Sequence, residues 1–140
     1  MEKANKLTYS EISEGSVYSF SRIITMKDVL DFAKLSGDFN PLHIDGDFGK
    51  KSQFKTNLAH GMLASSLFST LVGMHCPGEK SLYISQTLNF KLPIYPNEQL
   101  TVRGTVISKN DSTRLITLKT EILKDGKTAV SGEAKVKVMG

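Results

Sequence analysis

The stretch HGMLASSLFSTLVGM, residues 60–74, lies in a part of the chain without Asp, Glu, Lys or Arg and decides the fold. Its eight apolar side chains, counted from Met62 to Met74, would cover nearly every face of a helix. At 15 residues the stretch is shorter than the roughly 20 that a membrane-spanning helix needs. The pattern therefore predicts a helix that is buried on nearly every face, around which the rest of the chain must fold.

The sequence after this helix contains four segments in which apolar and polar residues alternate. Alternation with a period of two is typical of a strand with one buried and one exposed face. The residues predicted to point inward are Leu82, Ile84, Leu88 and Phe90 in the first segment, Leu100, Val102 and Val106 in the second, Ile116, Leu118 and Ile122 in the third, and Val130, Ala134, Val136 and Val138 in the last. Turns are predicted at residues 93–97, at Asn110-Asp111 and, as a tight hairpin, at Asp125-Gly126.

The sequence before the helix predicts a strand, a first helix and a structured loop. The strand is expected at residues 16–24. The first helix should begin after Thr25, an N-cap residue with Asp28 as its capping-box partner, and should end at Gly37. A structured loop follows, with a short helical piece at residues 47–52. Together these elements predict an α+β protein with the hot-dog fold, in which a curved antiparallel sheet wraps around a central apolar helix.

Length and composition narrow the class of protein. The 140 residues fit one domain, with residues 1–15 as a loosely ordered lead-in. The net charge of +4 is small and the basic residues are scattered, which argues against nucleic acid as a partner. The single cysteine, Cys76, can form no internal disulfide, which suits a reducing compartment. Because no signal peptide and no membrane-spanning segment are evident, the expected location is the cytoplasm.

Two motifs resemble a known family. They are Ser36-Gly37-Asp38-Phe39-Asn40-Pro41-Leu42-His43-Ile44-Asp45 and Ala59-His60-Gly61-Met62-Leu63. With further similarity from about Val17 to Val138, the chain resembles the MaoC-like (R)-specific enoyl-CoA hydratases, in particular the single-domain members that supply monomers for polyhydroxyalkanoate synthesis. The resemblance implies the hot-dog fold, an acyl-CoA substrate and a homodimer.

The resemblance also implies that Asp38 and His43 are the catalytic acid–base pair and that Gly61 donates its backbone N–H to an oxyanion. The chemistry of hydration agrees with these residue types. Water must reach C3 and a proton must reach C2 of an enoyl thioester, and a carboxylate and an imidazole on one loop can hold one water between them. A helix N-terminus favours negative charge on the thioester oxygen, and glycine permits close approach. If both parts of the water arrive from one face, addition is syn.

Four further residues are expected to support the site. Asn40 should fix the turn before Pro41, and His60 should orient the loop or cap the helix. Ser69 matches, by the resemblance, a serine that supports the pair by hydrogen bonding, although a buried serine often bonds only a backbone carbonyl. Val72 is three residues further along the same helix face. It should border the far end of the acyl pocket, or else pack only into the sheet.

The sequence also bears on functions other than hydration. His75 and Cys76 lack metal-ligand spacing and no Gly-rich phosphate loop precedes a helix, so neither a metal nor a cofactor is expected. Thioesterases of this fold usually carry an acidic residue near the buried helix, whereas residues 57–70 contain no Asp or Glu. A 3-hydroxyacyl-acyl-carrier-protein dehydratase stays an alternative, because the carrier is recognised on the surface. A non-catalytic acyl-thioester binding module would need no acid–base pair.

Overall fold

One antiparallel sheet and a set of mostly short helices make up the computed structural model, which describes residues 1–140. The strands are β1 Val17–Ile23, β2 Ser81–Gln86, β3 Asn89–Phe90, β4 Gln99–Asn110, β5 Leu115–Lys124 and β6 Lys127–Val138. The helices are α1 Met26–Ser36, α2 Pro41–Ile44, α3 Gly46–Lys51, α4 Gly61–Ser65 and α5 Leu67–Thr70, with a 3-10 turn at Tyr9–Glu11 and a π-helical turn at Leu71–His75. None of these helices has both the length and the apolar character needed to cross a membrane.

The sheet is curved, and its strands lie in the order β1-β4-β5-β6-β2, with the short β3 also paired to β6. Residues 61–75, which comprise α4, α5 and the π-helical turn, pack against it and are called the central helix below. The predicted α+β hot-dog fold is confirmed.

The first strand and α1 form as the sequence predicts, to within one or two residues at each end. The Asp28 N–H donates to Thr25 Oγ over 3.1 Å and the Thr25 N–H donates to the Asp28 carboxylate over 2.9 Å, which completes the capping box. Gly37 ends the helix with a φ of 79°, in the left-handed region that glycine tolerates. This cap turns the chain directly into the segment that carries Asp38.

The central helix begins and ends within one residue of its predicted bounds but is neither regular nor buried on all sides. Ser66 separates α4 from α5, and its N–H is shared between two carbonyl groups of the preceding turn. Phe68 and Leu71 are fully buried, whereas Met62, Ser66 and Ser69 form an exposed stripe along the opposite side. The prediction of burial on nearly every face is therefore wrong, because the sheet covers only one side of the helix.

The inward faces of β4, β5 and β6 are confirmed, since each residue predicted to point inward there is at most 1% exposed. The prediction for the first segment is wrong at Leu82, Ile84 and Phe90, which are 47%, 53% and 55% exposed. In β2 it is Tyr83 that packs against the core. Because of Tyr83 this strand has apolar residues on both faces, so alternation does not decide which face is buried. A shift of the strand register by one residue exchanges the two faces.

The connections and the N-terminal segment complete the fold. The Asp125-Gly126 hairpin joins β5 to β6, with positive φ at both residues as a tight turn requires. Residues 1–15, expected to be a loosely ordered lead-in, are in part docked on the core. Ile12 is 1% exposed, and the Asn5 N–H donates to the Met74 carbonyl over 2.9 Å.

Candidate active site

The segment with Asp38 is folded by short-range hydrogen bonds from polar side chains. Ser36 Oγ accepts from the Asp38 N–H over 3.1 Å, and Asp38 Oδ1 accepts from the Asn40 N–H over 3.2 Å. Asn40 Oδ1 accepts in turn from the Leu42 N–H over 3.0 Å and caps α2, with Pro41 at its first position. The expectation of an irregular loop up to residue 45 is thus wrong at α2. The signal was present, since Asn before Pro is a typical helix start.

His43 is held in one orientation by a backbone carbonyl. Its Nδ1 lies 2.8 Å from the carbonyl oxygen of Leu58, which can only accept, so Nδ1 carries the proton. In the neutral ring Nε2 is then the nitrogen with a free lone pair. The Asn57 side chain fastens the same two segments together, donating to the carbonyls of Leu42 over 2.9 Å and Asp45 over 2.8 Å. No sequence pattern indicates that Asn57 and Leu58 hold the His43 segment in place, so sequence analysis missed both residues.

Asp38, His43 and His60 meet at one place. A carboxylate oxygen of Asp38 and one ring nitrogen of each histidine lie within 4.8 Å of one another. Two groups that share one water at hydrogen-bond lengths of about 2.8 Å lie roughly 4.6 Å apart. The Asp38 side chain is half exposed and His43 is partly buried, so water can reach the space between them. The predicted pair therefore lies close enough for one water molecule to bridge a carboxylate oxygen and a ring nitrogen.

His60 is the buried member of this group. Its side chain is 2% exposed, its Nε2 lies 3.1 Å from the Asp38 carbonyl, and its ring stacks on His43 with centroids 3.9 Å apart and planes inclined by 28°. Phe32 packs edge-on against the other side. Rings stacked in this way do not direct their in-plane lone pairs to a point about 2 Å from both, as a shared zinc ion would require. The arrangement fits acid–base chemistry better than metal ligation.

Gly61 begins the central helix directly after His60, and its N–H has no hydrogen-bond partner in the chain. It borders a cavity of about 450 Å³ that His43 also lines, together with Phe54, Leu58, Ala59, Met62, Phe90, Lys91, Leu92, Pro93, Ile94 and Val130. The wall is mostly apolar, and a Cβ added at Gly61 would lie 2.8 Å from ring carbons of Phe90. A thioester in this cavity could place its carbonyl oxygen against the Gly61 N–H. Phe90 was expected in the core, so its place in the wall was missed.

Ser69 and Val72 are not brought to this cavity. Ser69 lies on the exposed stripe and its hydroxyl makes no hydrogen bond within the chain, whereas Ser65 donates to the Gly61 carbonyl over 2.8 Å and Ser66 donates to the Leu63 carbonyl over 2.6 Å. Val72 is 1% exposed and packs with sheet residues such as Val106, which matches the interpretation that it packs into the sheet. Because the helix changes to π geometry at Leu71, the two residues have different surroundings. Their predicted roles stay predictions.

Comparison with known proteins agrees with this geometry. The family model of the MaoC like domain matches residues 10–128. An (R)-specific enoyl-CoA hydratase of Aeromonas caviae is 38% identical over 133 residues, which are 94% of this chain and 99% of the relative. A mitochondrial 3-hydroxyacyl-[acyl-carrier-protein] dehydratase of Solanum lycopersicum is 38% identical over 86% of this chain and 73% of its own.

A solved structure shares the whole architecture. The structure of an (R)-hydratase from A. caviae involved in PHA biosynthesis superimposes with a TM-score of 0.88 at 39% identity, covering 91% of this chain and 97% of that one. The family model spans most of the chain, including the Asp38–His43 pair, called the dyad below, and the central helix. The chain belongs to the MaoC-like domain family.

Proposed function

We propose that the protein is an (R)-specific enoyl-CoA hydratase. It adds water reversibly and syn to trans-2-enoyl-CoA of short to medium chain length and forms (R)-3-hydroxyacyl-CoA. The observation that carries the proposal is the pairing of Asp38 and His43, within 4.8 Å of each other, beside the unpartnered N–H of Gly61 and an apolar cavity. The similarity to the A. caviae hydratase over almost the full length of both chains supports the same reaction.

The dyad supplies the proton transfers. Asp38 and His43 Nε2 hold one water, whose oxygen bonds to C3 of the substrate while one of its protons passes to the dyad. The dyad delivers a proton to C2, so that both groups return to their starting state. The Leu58 carbonyl keeps Nδ1 of His43 protonated throughout, which reserves Nε2 for the exchange. Because water and proton come from one side, hydrogen and hydroxyl add to the same face.

Two alternatives differ in how well they are supported. The similarity to an acyl-carrier-protein dehydratase favours that enzyme as the second candidate, with the same dyad acting on a different carrier. A hot-dog thioesterase is disfavoured because residues 57–70 contain no carboxylate.

The cellular location that we propose is the cytoplasm, which suits the buried free thiol of Cys76. Supply of polyhydroxyalkanoate monomers is one use of the product.

Turnover of crotonyl-CoA tests the reaction and the dyad together. The wild type should form (R)-3-hydroxybutyryl-CoA, identified by chiral analysis of the product. Asp38→Asn keeps the shape of the side chain and His43→Gln keeps a polar side chain, but each removes the proton-accepting group, and each should lower kcat about 100-fold or more with a smaller change in KM. The double variant should be little worse than either single one, since both groups act on one water.

The outcomes that contradict this assignment are distinct. An (S) product would refute the stereochemistry, and near-wild-type kcat in either single variant would refute the dyad. Turnover of the enoyl-acyl-carrier-protein thioester but not of the CoA thioester would favour the dehydratase.

Gly61 tests the proposed oxyanion contact. Gly61→Ala adds a methyl group between the backbone and the Phe90 ring, where the thioester must approach, and should lower kcat/KM at least about 10-fold because one such donor is typically worth more than that. Gly46→Ala is the matched control, since Gly46 also begins a short helix and its added methyl group meets no atom within 4 Å. Equal activity of the two variants would exclude a close approach of substrate to Gly61.

We also propose that the active form is a C2 homodimer in which the sheets of two copies align and each copy closes the other's pocket. The outer edge of β2 has no partner strand, and Leu82 and Ile84 are exposed on it.

Light scattering at micromolar concentration should give the mass of a dimer. Ile84→Lys places a charge on the open edge and should yield a monomer with little activity. Ile107→Lys is the matched control, because Ile107 is similarly exposed but lies on β4, inside the sheet order and away from this edge. A fully active wild-type monomer would refute the assembly.

The acyl pocket can be located with two matched valines. Val130 lines the cavity beside Gly61 and Val72 does not, yet both are 1% exposed and lose the same two methyl groups on change to alanine. Val130→Ala should raise the ratio of kcat/KM for octenoyl-CoA over crotonyl-CoA, since each methylene accommodated is worth up to about 0.8 kcal/mol. A rise in this ratio with Val72→Ala alone would support the prediction that Val72 borders the far end of the acyl pocket. An unchanged ratio in both variants would place the acyl chain elsewhere.

A further inference from the structure

His60 carries the only buried side-chain nitrogen or oxygen in the chain without a hydrogen-bond partner, its Nδ1. Buried polar atoms are nearly always paired, so an exception requires an explanation. The ring cannot be explained as a helix cap, because the His60 side chain makes no capping hydrogen bond to the central helix. A ring that served only to fill space would do so better as phenylalanine, which has no nitrogen to leave unpaired.

The contacts of His60 reach both members of the dyad. The Asp38 carbonyl, 3.1 Å from Nε2, can only accept, so Nε2 carries the proton of the neutral ring and Nδ1 is bare. The same ring stacks on His43 with centroids 3.9 Å apart, and Phe32 makes an edge contact with it. The unpaired Nδ1 is therefore retained on a buried ring that contacts both members of the dyad.

We propose that His60 is a positioning residue for the reaction. Its Nε2–H fixes the backbone of Asp38 and its ring face fixes the plane of His43, so that one buried side chain sets the distance across which the dyad shares its water. His60 touches neither water nor substrate and acts only through these two residues. This inference rests on the proposed function of the dyad.

Two substitutions separate the contacts. His60→Phe keeps the stacking ring and removes the donor to Asp38, whereas His60→Gln keeps an amide donor at the same reach and removes the ring. Each should lower kcat on crotonyl-CoA at least about 10-fold, because small displacements of catalytic groups have effects of this size or larger, while KM changes less. The melting temperature of His60→Phe should equal or exceed that of the wild type, because the unpaired buried nitrogen is gone.

A double-mutant cycle shows whether His60 acts through the dyad. In a His43→Gln background, His60→Gln should cause no further loss of kcat, since the group that it orients is already absent. The crystal structure of the His60→Gln variant should also show the His43 ring displaced and separated from the Asp38 carboxylate by more than 4.8 Å, the limit within which the two lie in the wild type. This last measurement needs no turnover, so it distinguishes a failure of the positioning role from a failure of the proposed reaction.

Three results would overturn the proposal. They are wild-type kcat in His60→Phe, an equal loss from His60→Gln with and without His43, and an unchanged dyad geometry in the His60→Gln crystal structure. If His60→Phe fails to fold, the nitrogen is required for stability and the claim that a phenylalanine would serve the fold better is refuted, while His60→Gln still decides the positioning role.

Discussion

The packing of the central helix against β4 is the constraint on which the rest of the structure depends. Leu71 is fully buried and lies directly over Gly104, where an added Cβ would come within 2.8 Å of its Cδ2. Phe68 belongs to the same core cluster as Val102. A larger residue than glycine at 104 would therefore force the buried Leu71 side chain to move. Because the helix is fixed in this way, the position of its first residue, Gly61, is fixed as well.

From that end of the helix, backbone hydrogen bonds extend the constraint to residues 38–45, the segment that carries the proposed dyad. The Leu58 N–H donates to the Leu42 carbonyl over 3.2 Å, and the Leu58 carbonyl accepts from His43. Asn57 adds two donations to carbonyls of the same segment. The other end of the segment is set by the Gly37 cap of α1. The dyad is thus held between two helices that the core positions, which explains how a half-exposed carboxylate can keep a defined place.

The features predictable from the sequence are those decided within a few residues. The Thr25 capping box and the hairpin at residues 125–126 are of this kind, and so is the Asp38–His43 pair, whose members lie in one short segment. The exposed faces of β2 and of the central helix were not predictable. The spacing of apolar residues indicates which side chains share a face. It does not indicate whether another part of the protein covers that face. The contact of His60 with Asp38 joins residues that are 22 apart in sequence, and no local pattern encodes it.

The distribution of satisfied and unsatisfied polar groups separates the parts of this fold that serve stability from those that serve chemistry. Thr120 accepts from Gln86, and Glu121 accepts from Arg103, each on the sheet and each paired. Desolvation by itself would raise the pKa of Glu121, but hydrogen bonds and charge from Arg103 and Lys119 outweigh it and hold that pKa below its usual value. The sheet therefore buries charge only with compensation. The site does not, since an unpaired buried nitrogen there costs about 1–3 kcal/mol. A local rule broken without compensation, at the place where the two proposed proton-transfer groups meet, is the pattern expected where function rather than stability determines the residue.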